Sequence, residues 1–222
     1  MTNIKLFATT WSTDTAGVSP YNNMRTELFF KGCGRAMAGN PCKGCFNSPL
    51  WFNSEEDKSY SAEEIAAQII KYAPHPYVTI GGGEPTDQME GLVELTGLLK
   101  QAGFHIMVYT WKDLEEMLTD STGERQGFLS LLNNIDMLVD GEFQLDKRLY
   151  RPKAADGFFS SIGSANQTIW DVRTLRRDKN VISGYRMGDV NGMKLDENND
   201  LVYKLTEQKP PRKLSVLKGN VA

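Results

Sequence analysis

The sequence predicts an α/β fold in which parallel strands alternate with helices. Two observations support this expectation. Short β-prone segments recur at residues 27–30, 77–80, 105–110 and 135–139, with helix-period segments between the later ones. Three chemically distinctive segments follow directly on Phe30, Ile80 and Val139, where an α/β sheet presents the carboxyl ends of its strands and hence its chemistry. A length of 222 residues suits one domain, and a composition 40% hydrophobic and 24% charged supplies a core and a solvated surface. The expected division is a single domain over 1–222, with a core at about 24–183 and a partly mobile C-terminal extension over 184–222.

Taken in order, residues 6–10 are β-prone and run into a polar loop over 12–23. Glu27 to Phe30 form a strand that delivers the chain to Cys33. Gly32, Gly34, Gly39, Asn40, Pro41 and Gly44 make residues 33–45 read as loop throughout. Ser61 with Glu64 three positions on is a capping box, and Ile65, Ala66, Ile69 and Ile70 give the helix that follows an apolar face. Tyr77 to Ile80 are a buried-type strand entering Gly81-Gly82-Gly83-Glu84-Pro85. Leu92, Leu95, Leu98 and Leu99 mark a helix that stops near Gly103. A strand over 105–110 comes next, then short helices over 114–118 and 128–132. A strand over 135–139 ends at Asp140-Gly141. Beyond about Ser183 the pattern turns polar, with a hairpin expected over 192–205 and an extended, mobile tail over 209–213.

A net charge of -3 argues against bulk binding to nucleic acid or to an anionic membrane, although Arg173, Arg176, Arg177 and Lys179 form a local basic group. The N-terminus lacks the charged and apolar regions of a leader, and no apolar run is long enough to span a bilayer, so a cytoplasmic protein is expected.

All three cysteines, Cys33, Cys42 and Cys45, lie within thirteen residues. An odd, clustered set of thiols in a chain of this kind is a poor disulfide framework and a better metal site. A structural zinc would want four ligands, and neither His75, between two prolines, nor His105, opening a core strand, is an evident fourth. Three thiolates suit three corners of a four-iron cluster with one iron left open for a small molecule. The glycine run is no phosphate loop, because Glu84 and Pro85 stand where a lysine and a hydroxyl would be needed. Glycines at a strand end allow close backbone approach, and Glu84 can hold a backbone donor or an amine.

Three clustered cysteines after a strand, followed one β/α unit later by Gly82-Gly83-Glu84-Pro85, resemble the radical S-adenosylmethionine superfamily. A narrower resemblance is to the activating enzymes of anaerobic ribonucleotide reductase. It rests on Pro41-Cys42-Lys43-Gly44-Cys45-Phe46-Asn47 with Trp51, on Val108-Tyr109-Thr110, on residues 138–143 and on Gly163-Ser164-Ala165-Asn166-Gln167. The resemblance implies an incomplete (β/α)6 TIM-like barrel of parallel strands, with a 4Fe-4S cluster at its carboxyl-end face held by Cys33, Cys42 and Cys45. It implies S-adenosylmethionine as second cofactor, with Gly82, Gly83 and Glu84 at the methionyl amine and Asn47, Tyr109, Thr110, Asp140, Asn166 and Gln167 around it. The implied reaction is reductive cleavage of that cofactor to a 5′-deoxyadenosyl radical, which generates a glycyl radical on a partner, the anaerobic ribonucleoside-triphosphate reductase. A flavodoxin- or ferredoxin-like protein would supply the electron, and no acid–base residue is needed at the centre. The chain departs from that family at Arg35-Ala36-Met37-Ala38-Gly39, an insertion that lengthens the Cys33 to Cys42 spacing to eight residues at modest loop-closure cost. Two other readings stay open: a radical enzyme acting on a small heterocycle, similar to 7-carboxy-7-deazaguanine synthase, and a non-enzymatic zinc-binding interaction domain.

Overall fold

A computed structural model describes residues 2–13, 25–119, 123–148, 162–177, 181–186, 194–195, 201–202 and 212–215. The strands are β1 (Asn3–Thr13), β2 (Arg25–Phe30), β3 (Ser59–Ser61), β4 (Tyr77–Gly82), β5 (His105–Tyr109), β6 (Met137–Asp140), β7 (Thr168–Asp171), β8 (Val181–Arg186), β9 (Lys194–Leu195), β10 (Leu201–Val202) and β11 (Arg212–Ser215). The helices are α1 (Gly34–Met37), α2 (Ala62–Tyr72), α3 (Met89–Gln101), α4 (Leu114–Thr119), α5 (Glu124–Asn134) and α6 (Arg173–Arg177). No helix among the described residues is long and apolar enough to cross a membrane.

Among the described residues, nine strands form one mixed sheet in the order β11-β8-β7-β6-β5-β4-β2-β1-β3. Its centre is parallel, β2 to β4, β4 to β5 and β5 to β6, because a helical crossover precedes each return to the sheet. The flanks are antiparallel: β1 on β2, β7 on β6, β8 on β7 and β11 on β8. Where six parallel strands were expected, the described pairings give four, and the chain is completed by antiparallel neighbours instead. Thr168–Asp171 is too short a run to stand out from the polar residues around it, and its strand character comes from the ladder with β6. Within the hairpin expected over 192–205, Lys194 and Leu195 pair antiparallel with Val202 and Leu201, and the rest of that stretch lies outside the described residues. Of the tail expected to be extended over 209–213, Arg212 and Lys213 belong to the strand Arg212–Ser215 on β8, a strand that spans the boundary expected at 183, and residues 209–211 lie outside the described residues.

Strand alternation sorts the sheet into two faces. Leu28, Phe30, Val78, Ile80, Ile106, Val108 and Leu138 join one buried core with Ile65 and Ile69 of α2, Leu92, Leu95 and Leu99 of α3, and Phe128, Leu131 and Leu132 of α5. The alternate residues face the other way and are stacked in register. Glu27, Thr79, Met107 and Met137 stand side by side, and Tyr109 lies beside Val139 one step nearer the carboxyl ends. The amino-end step is closed by the buried Arg25, whose guanidinium donates to Thr79 Oγ1 at 2.7 Å and to the Val78 carbonyl at 2.6 Å. The α2 capping box forms as its sequence dictates, Glu64 N donating to Ser61 Oγ and Ser61 N to Glu64 Oε2, worth about 1 kcal/mol.

Candidate functional site

The face opposite the helices opens at the carboxyl ends of the strands into a cavity of about 810 Å³. Glu27, Phe29, Thr79, Gly81 and Tyr109 contribute its floor and walls from the sheet, and the loops after β2, β4, β5 and β6 supply its rim. All three cysteines line it.

The cysteine segment leaves β2 through Gly32, which has φ +100 and whose N–H donates to the Leu50 carbonyl at 2.8 Å. Cys33 N–H donates to the Trp51 carbonyl at 2.9 Å, so both arms of the loop are laced together at its base. Residues 34–37, expected as loop, form the helical turn α1, with Gly34 N–H held by Asp87 Oδ2 at 2.6 Å. Each sulfur meets a backbone donor: Ala36 for Cys33, Phe143 for Cys42, and Asn47 for Cys45 at 3.4 Å. Burial raises the Cys33 and Cys42 thiols above the usual range, and the backbone donors work against it. Thiolates bound to a metal need such donors in place of water.

The glycine run after β4 packs on that loop. Gly82 has φ +106, and a Cβ there would lie 2.5 Å from the Phe30 carbonyl oxygen; a Cβ on Gly83 would lie 2.1 Å from the Gly32 carbonyl oxygen. Gly83 and Glu84 donate their N–H groups to the Phe30 and Gly32 carbonyls at 2.8 and 2.7 Å. The glycines are therefore required by contact between two stretches of backbone, a reason beyond room for a ligand.

Glu84 lines the cavity yet is only 1% exposed. Its Oε1 accepts from Thr86 N at 3.0 Å and Thr86 Oγ1 at 2.6 Å, and its Oε2 from Trp111 N at 3.0 Å. Burial raises its pKa, opposed by these donors. Three of its four lone-pair positions are engaged, leaving room for one more donor from the cavity.

Of the other residues expected at the second cofactor, Asn47, Tyr109 and Thr110 line the cavity. Thr110 Oγ1 also accepts from Lys112 N at 3.1 Å. Asp140 and Asn166 are not among the lining residues. The Asp140 Oδ2 accepts from Leu114 N at 2.8 Å and starts α4, while Asn166 Nδ2 donates to the Glu142 carbonyl at 2.8 Å. Gln167 takes the inner position instead: its Oε1 accepts from Gly163 and Ser164 N–H, its Nε2 donates to the Gly141 carbonyl, and it lines the cavity.

Sequence reasoning missed Trp111, Phe143 and Arg35 in this site. Trp111 and Phe143 line the cavity, Phe143 packed on Phe46 with ring centroids 4.7 Å apart. Lys112, also unforeseen, is buried. Burial would lower its pKa, but Glu124 at 2.9 Å, with Asp87 and Glu84, outweighs that and raises it. The only advance signal was position: Trp111 and Lys112 directly follow Thr110, and Phe143 closes the quoted segment 138–143.

Among the described residues no three His, Cys, Asp or Glu side chains converge tightly enough to hold a single metal ion. Three cysteines lining one cavity, with no histidine among the lining residues, match the ligand chemistry of an iron–sulfur cluster better than the four-ligand set of a structural zinc.

Comparison with known proteins agrees. Residues 22–170 match the family described as a 4Fe-4S single cluster domain, and that stretch contains all three cysteines and more than half of the chain. The chain belongs to the 4Fe-4S single cluster domain family. The pyruvate formate-lyase-activating enzyme of Clostridium pasteurianum is 30% identical over 116 residues, 48% of this chain and 46% of that protein. The protein of the same name from Staphylococcus aureus (strain USA300) is 31% identical over 104 residues, 45% of this chain and 39% of that one. The chain thus spans less than half the length of these curated relatives. Membership of this family and these relatives support the cofactor pair expected from the sequence, a 4Fe-4S cluster with S-adenosylmethionine. The narrower expectation of a ribonucleotide reductase activator goes beyond these names.

Proposed function

We propose that this chain is a radical S-adenosylmethionine activating enzyme that installs a glycyl radical on a larger partner, the anaerobic ribonucleoside-triphosphate reductase. One observation carries the reading: in a 4Fe-4S family member, three cysteines line one carboxyl-end cavity together with the Gly82-Gly83-Glu84 strand end. Cys33, Cys42 and Cys45 hold the cluster. Gly82, Gly83 and Glu84 offer backbone groups and one carboxylate position to the amine of the second cofactor. Asn47, Tyr109 and Thr110 line its remaining volume, and Asp140 and Asn166 hold the surrounding loops. When bound, the reduced cluster would supply the one electron that divides the second cofactor into methionine and a 5′-deoxyadenosyl radical able to take a Cα hydrogen from glycine.

The chain's own residues position and exclude. Phe29, Trp111 and Phe143 give the cavity apolar walls that keep water from a reactive carbon centre. No side chain is assigned a proton transfer. Helices on one face of the sheet and a cavity on the other support the inside of an incomplete barrel, open on the side where a peptide loop would enter. An external flavodoxin- or ferredoxin-like donor in the cytoplasm is part of the same proposal.

The test is anaerobic reconstitution with iron, sulfide, reductant and S-adenosylmethionine, with detection of 5′-deoxyadenosine. An intact cluster without that product rejects the radical mechanism, and a colourless protein with one zinc rejects the cluster. Presenting the reconstituted chain with either anaerobic ribonucleotide reductase or pyruvate formate-lyase, and recording the glycyl radical by electron paramagnetic resonance, decides the partner.

A further inference from the structure

The eight residues between Cys33 and Cys42 form a built element. Residues 34–37 close into α1, and the N–H groups of Ala38, Gly39 and Asn40 return to the carbonyls of Gly34, Ala36 and Arg35 at 2.9, 3.0 and 3.0 Å. From the middle of that turn Arg35 reaches three separate parts of the site. Its Nε donates to the Asn40 carbonyl at 2.7 Å, its Nη2 to Glu142 Oε1 at 2.7 Å, and its guanidinium lies 4.9 Å from the centre of the Trp111 ring. These partners belong to its own loop, to the segment after β6 and to the segment after β5.

Two of them flank Cys42. Asn40 lies two residues before it in the chain, and Glu142 precedes Phe143, whose N–H serves the Cys42 sulfur. A planar fork that also stacks is what three such directions require, and a lysine ammonium cannot reproduce it. The pair is shielded, with side-chain exposures of 16% for Arg35 and 35% for Glu142, so less water screens it than an open surface pair. Arg35 and Glu142 also act electrostatically on Cys42 in opposite directions.

We propose that Arg35 is a positioning residue of the cluster site: it fastens the long first cysteine loop to the segment after β6 and, as a fixed positive charge near Cys42, raises the reduction potential of the cluster held there. The proposal rests on the cluster reading above. Reduction adds negative charge to the cluster, and net charge and hydrogen bonding near its sulfurs set its potential. Arg35 favours the reduced form and Glu142 the oxidised one.

The experiment uses the full chain, reconstituted anaerobically as wild type and as Arg35→Lys, Arg35→Gln and Glu142→Gln. Iron and sulfide are counted, and the potential is read by redox titration followed by electron paramagnetic resonance. Arg35→Gln is expected to shift the reduction equilibrium toward the oxidised form by about tenfold, which for one electron is ~59 mV more negative. Glu142→Gln is expected to shift it the opposite way. Arg35→Lys is expected to keep a potential near that of the wild type while losing iron faster to a chelator. Equal potentials in all four proteins, or shifts of one sign in Arg35→Gln and Glu142→Gln, would overturn the assignment. Should Arg35→Gln hold no cluster, an unchanged potential in Glu142→Gln does the same. A wild-type chain that binds no iron and sulfide rejects the cluster reading itself.

Discussion

At the scale of single residues, Gly83 shows how closely the site is assembled. An added methyl would sit 2.1 Å from the Gly32 carbonyl oxygen and 3.0 Å from that of Leu50, both backbone atoms that cannot swing aside. Gly83→Ala is expected to cost about 3 kcal/mol or more, seen as a lower urea midpoint in the metal-free chain. Gly81→Ala is the control. Its nearest new neighbour is Tyr109 Cδ2 at 3.7 Å, an ordinary contact, and a change within about 1 kcal/mol is expected. Both glycines read alike in the sequence, as members of one flexible run, and only the approach of the β2 end separates them. Glu84 teaches the same lesson. Its type and place marked it as a polar contact, but the Thr86 and Trp111 partners that hold it come from the turn after β4 and the segment after β5.

At the scale of elements, the parallel strands are closed at their amino ends by a polar layer of Arg25, Tyr77 and His105. Both Arg25 nitrogens Nη1 and Nη2 face His105 Nδ1, at 3.4 and 3.3 Å, so this ring works as an acceptor and stays neutral. Burial first, then the Arg25 charge, lowers the His105 pKa from 6.5 to about 4. Between those values the unfolded chain binds a proton that the folded chain does not. Stability is therefore fully present above pH 6.5 and is lost as pH falls through 4, by at most about 3 kcal/mol. Thermal melts from pH 7 to 4 should show this slope, and His105→Asn, which keeps an acceptor without a titrating ring, should flatten it. A slope equally steep in the variant would assign the effect to other groups. The strands of this layer were legible because each carries β-prone apolar residues next to turn residues, Leu28 to Phe30 before Gly32, Val78 and Ile80 before the glycine run, and Ile106 to Val108 after Gly103. The antiparallel strands β7, β8 and β11 were not. β7 and β11 are four residues long, β8 has Gly184 within it, and each pairs with a strand already in the sheet.

For the whole molecule, the fold and the cluster site are separable. The core packs α2, α3 and α5 on one face of the sheet, and the three cysteines lie on loops at its carboxyl end. Replacing Cys33, Cys42 and Cys45 together by alanine is expected to remove all iron and the visible absorbance of the reconstituted protein while its far-ultraviolet circular dichroism stays unchanged. A collapse of helix signal would show instead that the cluster is part of the folding unit. The sequence by itself determined what is local. The hydrophobic periods fixed the central strands and helices, the Ser61–Glu64 box started α2, and the thiol spacing with the Gly-Gly-Glu turn announced the chemistry, because each depends on neighbours a few residues apart. Tertiary structure alone decided what depends on distant residues meeting. It turned the slack expected between Cys33 and Cys42 into a turn held by Glu142 and Trp111, put Gln167 but not Asn166 of the expected pair at the cavity wall, and added antiparallel strands to the parallel centre. Such contacts join residues separated by 26 to 107 positions, and their energy comes from geometry that no short stretch of sequence contains.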